Sequence, residues 1–131
     1  MLALRSYHHT ALSVRDVDAS SEWYRHLFGF EEEFRSESDD RRLVVLSTPD
    51  PPLMVGLVEH RGGEGTFDPK NLGLDTLAFN VASREALEAW EVRLTGEGVT
   101  HGGLLEAPFG GMLNFKDPDG IALALFWERD D

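Results

Sequence analysis

A self-similarity at a fixed offset of 67 residues constrains this chain more than any single motif does. Laid on the second half, the first half places Ala11 on Ala78, Val14 on Val81, Ala19 on Ala86, Trp23 on Trp90, Leu27 on Leu94 and Gly29 on Gly96. Tryptophan occurs only three times, so coincidence is a poor account of the Trp23/Trp90 match. A fixed period means one supersecondary unit used twice, each copy burying the apolar face the other cannot bury alone. A functional site is then expected between the two units.

Composition narrows the class. With 131 residues, 41% of them hydrophobic, the chain can build one compact domain with a genuine core. No apolar run approaches the length of a membrane span, and the opening MLALRSYHHT lacks the hydrophobic stretch and cleavage site of a signal peptide, so a cytoplasmic protein with no membrane partner is expected. The absence of cysteine excludes disulfides, thiolate zinc sites and cysteine nucleophiles. A formal charge of −12 repels a phosphate backbone, which argues against nucleic acid, and draws in a cationic small molecule.

Each half reads as strand, helix, strand, strand, strand. Residues 7–14 form a strand, Asp16 or Asp18 caps a helix whose stripe is Ala19, Trp23 and Leu27, and Gly29 ends it. Strands at 30–35, 43–47 and 53–58 follow, separated by the turns SESDDRR and TPDPP. The second half repeats the order with a strand at 74–81, Ser83 as cap, a helix turning Ala86, Leu87, Trp90 and Leu94 inward, Gly96 as stop, and strands near Val99, at 112–115 and at 121–127. The tryptophans sit in mid-stripe and read as core. One domain results, with a first module over about residues 1–60, a glycine-rich linker or lid over about 61–72, and a second module over about 73–131.

The segments HHTALSVRDVDASSEWYRHLFGF, GLDTLAFNV and FKDPDGIALALFW together resemble the vicinal oxygen chelate superfamily, which includes glyoxalase I, extradiol dioxygenases, fosfomycin-resistance enzymes and bleomycin-resistance proteins. The resemblance covers nearly the whole chain. It implies an α+β fold in which two tandem βαβββ modules form a curved mixed-sheet cup. It also implies where a metal would be held, on the first and last strand of each module. Transferred by position, those places are His9, Gly56, Thr76 and Ala124. Relatives carry a histidine where GLDTLAF has Thr76, and a glutamate four residues beyond the glycine of DPDG, where this chain has Ala124.

A catalytic divalent metal needs about three protein ligands and an open position, and His9 alone supplies neither affinity nor geometry. Neighbouring His8 is expected to face the other way, as adjacent strand residues do. His60, His101 and Glu106 read as solvent-facing polar residues. No cofactor is therefore expected.

Strand alternation puts Tyr7, His9, Ala11, Ser13, Gly56, Thr76, Ala78, Asn80, Ala122, Ala124 and Phe126 on the cup face. Leu12, Val14, Phe79, Val81, Ile121, Leu123 and Leu125 then lie beneath the helices. Small residues where enzymes of this fold carry charged ligands make room for an organic molecule of roughly 300–1,000 Å³. Tyr7, His9, Thr76 and Asn80 would orient it, and Met54, Phe126, Phe109, Met112 and Phe115 would give apolar contact, with Gly56, Ala78 and Ala124 lining the floor. The resemblance thus implies a metal-free homodimer that sequesters a cytotoxic aromatic or polycyclic natural product such as a bleomycin or an enediyne. The competing expectation is an enzyme using unconventional metal ligands or His9 as general base, and a third is a ligandless half of a larger complex.

Overall fold

A computed structural model describes residues 2–130 and shows two helices and two four-stranded sheets, an α+β fold in which the βαβββ unit occurs twice. The chain divides into two compact units, Met1–Gly65 and Thr66–Asp131.

The first unit contains β1 (Thr10–Ser13), α1 (Val17–Phe28), β2 (Glu31–Glu37), β3 (Arg41–Pro49) and β4 (Pro52–His60), with the sheet ordered β1-β4-β3-β2. β1 runs parallel to β4 and the remaining pairs are antiparallel, so the sheet is mixed. Leu12, Val44, Leu46, Val55 and Leu57 are buried and share one face, the alternation expected when a helix covers one side. Asp16 is the N-cap of α1, its carboxylate accepting from the amides of Asp18 and Ala19 at 3.0 Å. Glu59 on β4 accepts from the Val17 amide at 2.9 Å, so the first orphan donors of the helix are satisfied from both flanks. Gly29, at φ 77°, closes the helix in the left-handed region, with its amide on the Arg25 carbonyl.

The second unit repeats the plan with β5 (Leu77–Asn80), α2 (Arg84–Gly96), β6 (His101–Ala107), β7 (Gly110–Lys116) and β8 (Ala122–Glu128), ordered β5-β8-β7-β6. Ser83 caps α2 through the Ala86 amide. The sharp turn DPDG between β7 and β8 is held by Asp117, a buried carboxylate that accepts from the amides of Asp119 and Ile121 at 2.8 and 2.9 Å.

Three local expectations need correction. The stripe of α1 is rotated: Val17, Ser20, Ser21, Tyr24 and Leu27 are buried, Ala19 is exposed and Trp23 is half-buried. Tyr24 therefore occupies the core, while Trp23 packs edge-on against Tyr24 and Phe28 at its rim. Trp90 is likewise half-buried beneath the Arg93 guanidinium, and Leu87 and Leu94 fill the core instead. Gly96 is the last helical residue of α2 and not its stop. The left-handed residue is Gly98 at φ 73°, and the bonds from Gly98 to Thr95 and from Val99 to Leu94 complete a Schellman ending.

Each helix is tied to its sheet by an ion cluster. In the first unit Arg35 on β2 and Arg42 on β3 both bind Asp18 of α1 at 2.8 Å, and Arg35 also grips Glu32. Hydrogen bonds from Arg35 and then Arg42 hold the Asp18 carboxyl below its ordinary range, and those from Glu32 and then Asp18 raise Arg35. In the second unit Arg84 of α2 binds Glu88 and Glu106, and Glu106 also pairs with Arg129.

Candidate functional site

Both edge strands are shorter than the sequence suggests, and that decides the fate of two candidate positions. β1 begins at Thr10 and β5 at Leu77, so His9 and Thr76 each fall one residue outside a strand, both exposed. His8 and His9 do not point to opposite faces. Without a strand partner their rings meet edge to face, with their Nδ1 atoms 2.8 Å apart, one imidazole donating and the other accepting. Tyr7 is also outside the strand and three-quarters exposed. The Thr76 hydroxyl donates to the neighbouring Asp75 carboxylate at 3.3 Å.

Gly56 and Ala124 lie where the alternation puts them, on the faces turned away from the helices. Gly56 sits between Ala11 and Val45, and Ala124 between Ala78 and Asn114. Both are buried. A Cβ on Gly56 would meet the Ala11 Cβ at 3.4 Å, so a small side chain would fit there without moving the backbone. A catalytic divalent ion does not fit the donors these positions provide: a glycine, an alanine, a hydroxyl already bonded to its neighbour, and one imidazole held by another. Among the described residues no three His, Asp or Glu side chains stand together as a metal-holding group.

The helix-free face of the second sheet carries the aromatic candidates. Cross-strand register sets Leu105, Met112, Phe126 and Asn80 in one row across all four strands, with Asn114, Ala124 and Ala78 in the next. Phe109, in the turn joining β6 and β7, lays its ring on Phe126 with centroids 5.8 Å apart and planes 25° from parallel. Phe109 and Leu105 are exposed, and Met112 and Phe126 are half-buried. The result is an apolar shelf. Asn80, exposed and beside Phe126, supplies the polar group on the same row.

Phe115 does not belong to this face. It pairs with Leu123, and the Gly111–Leu113–Phe115 side of β7 faces α2, where a Cβ on Gly111 would come within 3.2 Å of Leu87. Counting back from the DPDG turn would have shown this, since the turn fixes Lys116 opposite Ala122 and hence Phe115 opposite Leu123.

The first sheet offers its own helix-free face. Met54 lies there two residues from Gly56, opposite Ser47. The row of Gly56 on the same face ends in a residue that alternation in β1 and β4 alone does not reveal, Phe34, which a bulge in β2 sets opposite Val45 and leaves 54% exposed. A separate groove of about 220 Å³ at the β2–β3 turn is lined by Glu37, Ser38, Asp39, Arg41, Arg42, Glu59 and Arg61. Its mixed charges do not suit an apolar ligand, and none of the candidate residues lines it. No described helix is long and apolar enough to cross a membrane.

Comparison with known proteins points one way. The sequence model of the Glyoxalase/Bleomycin resistance protein/Dioxygenase superfamily matches residues 6–125. The crystal structure of a glyoxylase/bleomycin resistance protein/dioxygenase domain from Frankia sp. EAN1pec is 36% identical, with 97% of this chain and 100% of that one covered and a TM-score of 0.90. A glyoxalase family protein from Enterococcus faecalis is 25% identical over 92% of this chain and 96% of its own, at a TM-score of 0.76. A fosfomycin resistance protein from Listeria monocytogenes shares the fold at 17% identity, with 97% and 96% covered and a TM-score of 0.78. Among curated proteins none matches the chain.

Proposed function

The chain belongs to the Glyoxalase/Bleomycin resistance protein/Dioxygenase superfamily, and from that premise we propose that it is a binding protein that takes up a bulky aromatic natural product without a catalytic metal. The observation that carries this reading is the exchange of residue types on the helix-free faces. Where metal-using relatives are expected to hold ligands, this chain has Gly56 and Ala124, and close to Ala124 it has the stacked pair Phe109 and Phe126 with Met112 and Leu105. Each well-placed aromatic contact adds only about 0.5–1.5 kcal/mol beyond area burial, so a ligand with several rings is favoured over a small metabolite.

The charge of −12 favours a cationic ligand such as a bleomycin. The named fosfomycin resistance and bleomycin resistance relatives are consistent with a protective role. Sequestration consumes one site per molecule and requires dissociation constants below about 1 μM, roughly −8 kcal/mol. In this reading the protein works in the cytoplasm as a homodimer, with Tyr7 and His9 the polar candidates of the first unit and Thr76 and Asn80 those of the second.

Isothermal titration with bleomycin A2 and mitomycin C, followed by mass analysis of the recovered compound, tests the proposal. Submicromolar binding with the compound returned unchanged supports it, and Phe126→Ala or Ala124→Trp then weakens binding at least tenfold. Conversion of the compound, with or without added Mn²⁺, Fe²⁺ or Zn²⁺, would make the protein an enzyme and refute sequestration.

A further inference from the structure

The aromatic shelf depends on a ring carried by a two-residue turn, and turns are ordinarily the mobile parts of a sheet. Pro108 and Phe109 join β6 to β7, and their carbonyls have no place in the β6–β7 ladder. One residue gathers them, by its backbone and its side chain together. The Arg129 backbone amide donates to the Phe109 carbonyl at 2.7 Å, and its guanidinium Nη1 donates to the carbonyls of Ala107 at 2.7 Å and Pro108 at 3.1 Å. The other guanidinium nitrogen binds Glu106 at 3.4 Å, and the group lies 5.4 Å from the centre of the Trp127 ring. Every acceptor of the turn is thereby tied to the residue that follows β8.

Arg129 works from behind the shelf. Trp127 and Glu106 both lie opposite Gly111, on the side that faces α2, and Arg129 follows Trp127 by two residues and contacts both. Phe109 and Phe126 meet on the other side. A ligand stacked on Phe109 therefore does not touch the guanidinium. The two carbonyls on Nη1 set the plane of the Arg129 fork, and Glu106, which receives its other nitrogen, also pairs with Arg84 of α2.

We propose that Arg129 is a positioning residue that holds Phe109 stacked on Phe126 and so sets the affinity of the shelf for a planar aromatic cation. The affinity clause rests on the binding reading above, and the geometric clause stands independently of it. Preorganising a platform before binding removes the ordering cost a mobile turn would impose on each association.

The test uses the full chain labelled with 4-fluorophenylalanine, the Phe109 fluorine line being assigned by its disappearance in Phe109→Leu, and proflavine as the probe. In the wild type the Phe109 line is expected to be single and sharp. Arg129→Gln shifts and broadens it and weakens proflavine binding at least fivefold. Arg129→Lys, which keeps the charge but cannot span two carbonyls and a carboxylate, gives a smaller change in both. Arg84→Gln removes an ion pair of the same cluster but no contact to the turn, and leaves the line and the affinity within twofold of wild type. A Phe109 line unmoved in Arg129→Gln, or an equal loss in Arg84→Gln, overturns the proposal. A line that moves as expected in a protein that binds no proflavine upholds the clamp and counts against the binding reading instead.

Discussion

Replacing the buried Gly110 with alanine should cost more than any other glycine-to-alanine substitution in the second sheet. Gly110 opens β7 at φ 154°, and a Cβ there would overlap the Trp127 carbonyl oxygen and stand 2.9 Å from its carbon. Comfortable carbon contacts lie at roughly 3.5 Å, and the obstacle is backbone with no rotamer to change. The variant must lift the start of β7 from β8, breaking the Gly110–Glu128 pairing next to the turn that Arg129 holds. A backbone held in a disfavoured region costs about 1–3 kcal/mol, and each lost ladder bond about 0.5–1.5 kcal/mol. The expected destabilisation is about 2–5 kcal/mol, a large share of the roughly 5–15 kcal/mol that keeps a domain folded. Urea unfolding followed by tryptophan fluorescence measures it. Gly96→Ala supplies the opposite sign in the same assay: Gly96 is helical, has ordinary φ and has nothing within 4 Å of the place a methyl group would take, so alanine stabilises by up to about 1 kcal/mol. A Gly110→Ala cost below about 1 kcal/mol, or equal losses in both variants, would refute the steric argument.

Asp16→Ala removes the acceptor for two amides at the start of α1 and should lower stability by about 1 kcal/mol, read as a shift in the urea midpoint at constant slope. Leu87→Ala, at a fully buried position facing Gly111, should cost about 2–5 kcal/mol by the same measure. Asp18 has its folded-state carboxyl pKa depressed by Arg35 and Arg42, so its stabilising contribution is present above the ordinary value of 3.8 and disappears as pH falls through the lower folded value. Asp18→Asn should therefore flatten the decline of stability only as pH falls below the ordinary value of 3.8, with wild type and variant converging at the acid end and at high salt. Parallel titration curves for the two would show that the ion cluster is inert.

The repeat and the alternation were legible because both follow from burial. Leu12 and Val14 are buried while Ala11 and Ser13 are exposed, and Leu123 and Leu125 lie beneath α2. The helix caps Asp16 and Ser83 were equally readable, since a short polar side chain just before an apolar stripe has few other uses. Where the pattern misled, a neighbour not visible in a local window decided the outcome. Periodicity could not separate Trp23 from Tyr24, which are adjacent on the helix, and the core took the residue pointing at the sheet centre. His9 and Thr76 look like strand residues, but the four-residue edge strands start just after them. Phe34 and Arg129 had no signal at all, because a β-bulge and a side chain reaching two carbonyls of a distant turn exist only after the strands have paired.

The ion clusters that tether the two helices draw on opposite signs in the first helical turn. In the first unit the helix contributes the acid, Asp18, and the strands contribute arginine; in the second the helix contributes Arg84 and the strand contributes Glu106. An acid in the first turn agrees with the positive end of the helix dipole, whereas an arginine opposes it, even with Glu85 beside it. Added salt then weakens two favourable terms at the start of α1, but at the start of α2 it weakens one favourable term and relieves one unfavourable one. Rising ionic strength should loosen the opening turn of α1 more than that of α2, so that two copies of one architectural unit carry different sensitivities to the ionic composition of their surroundings.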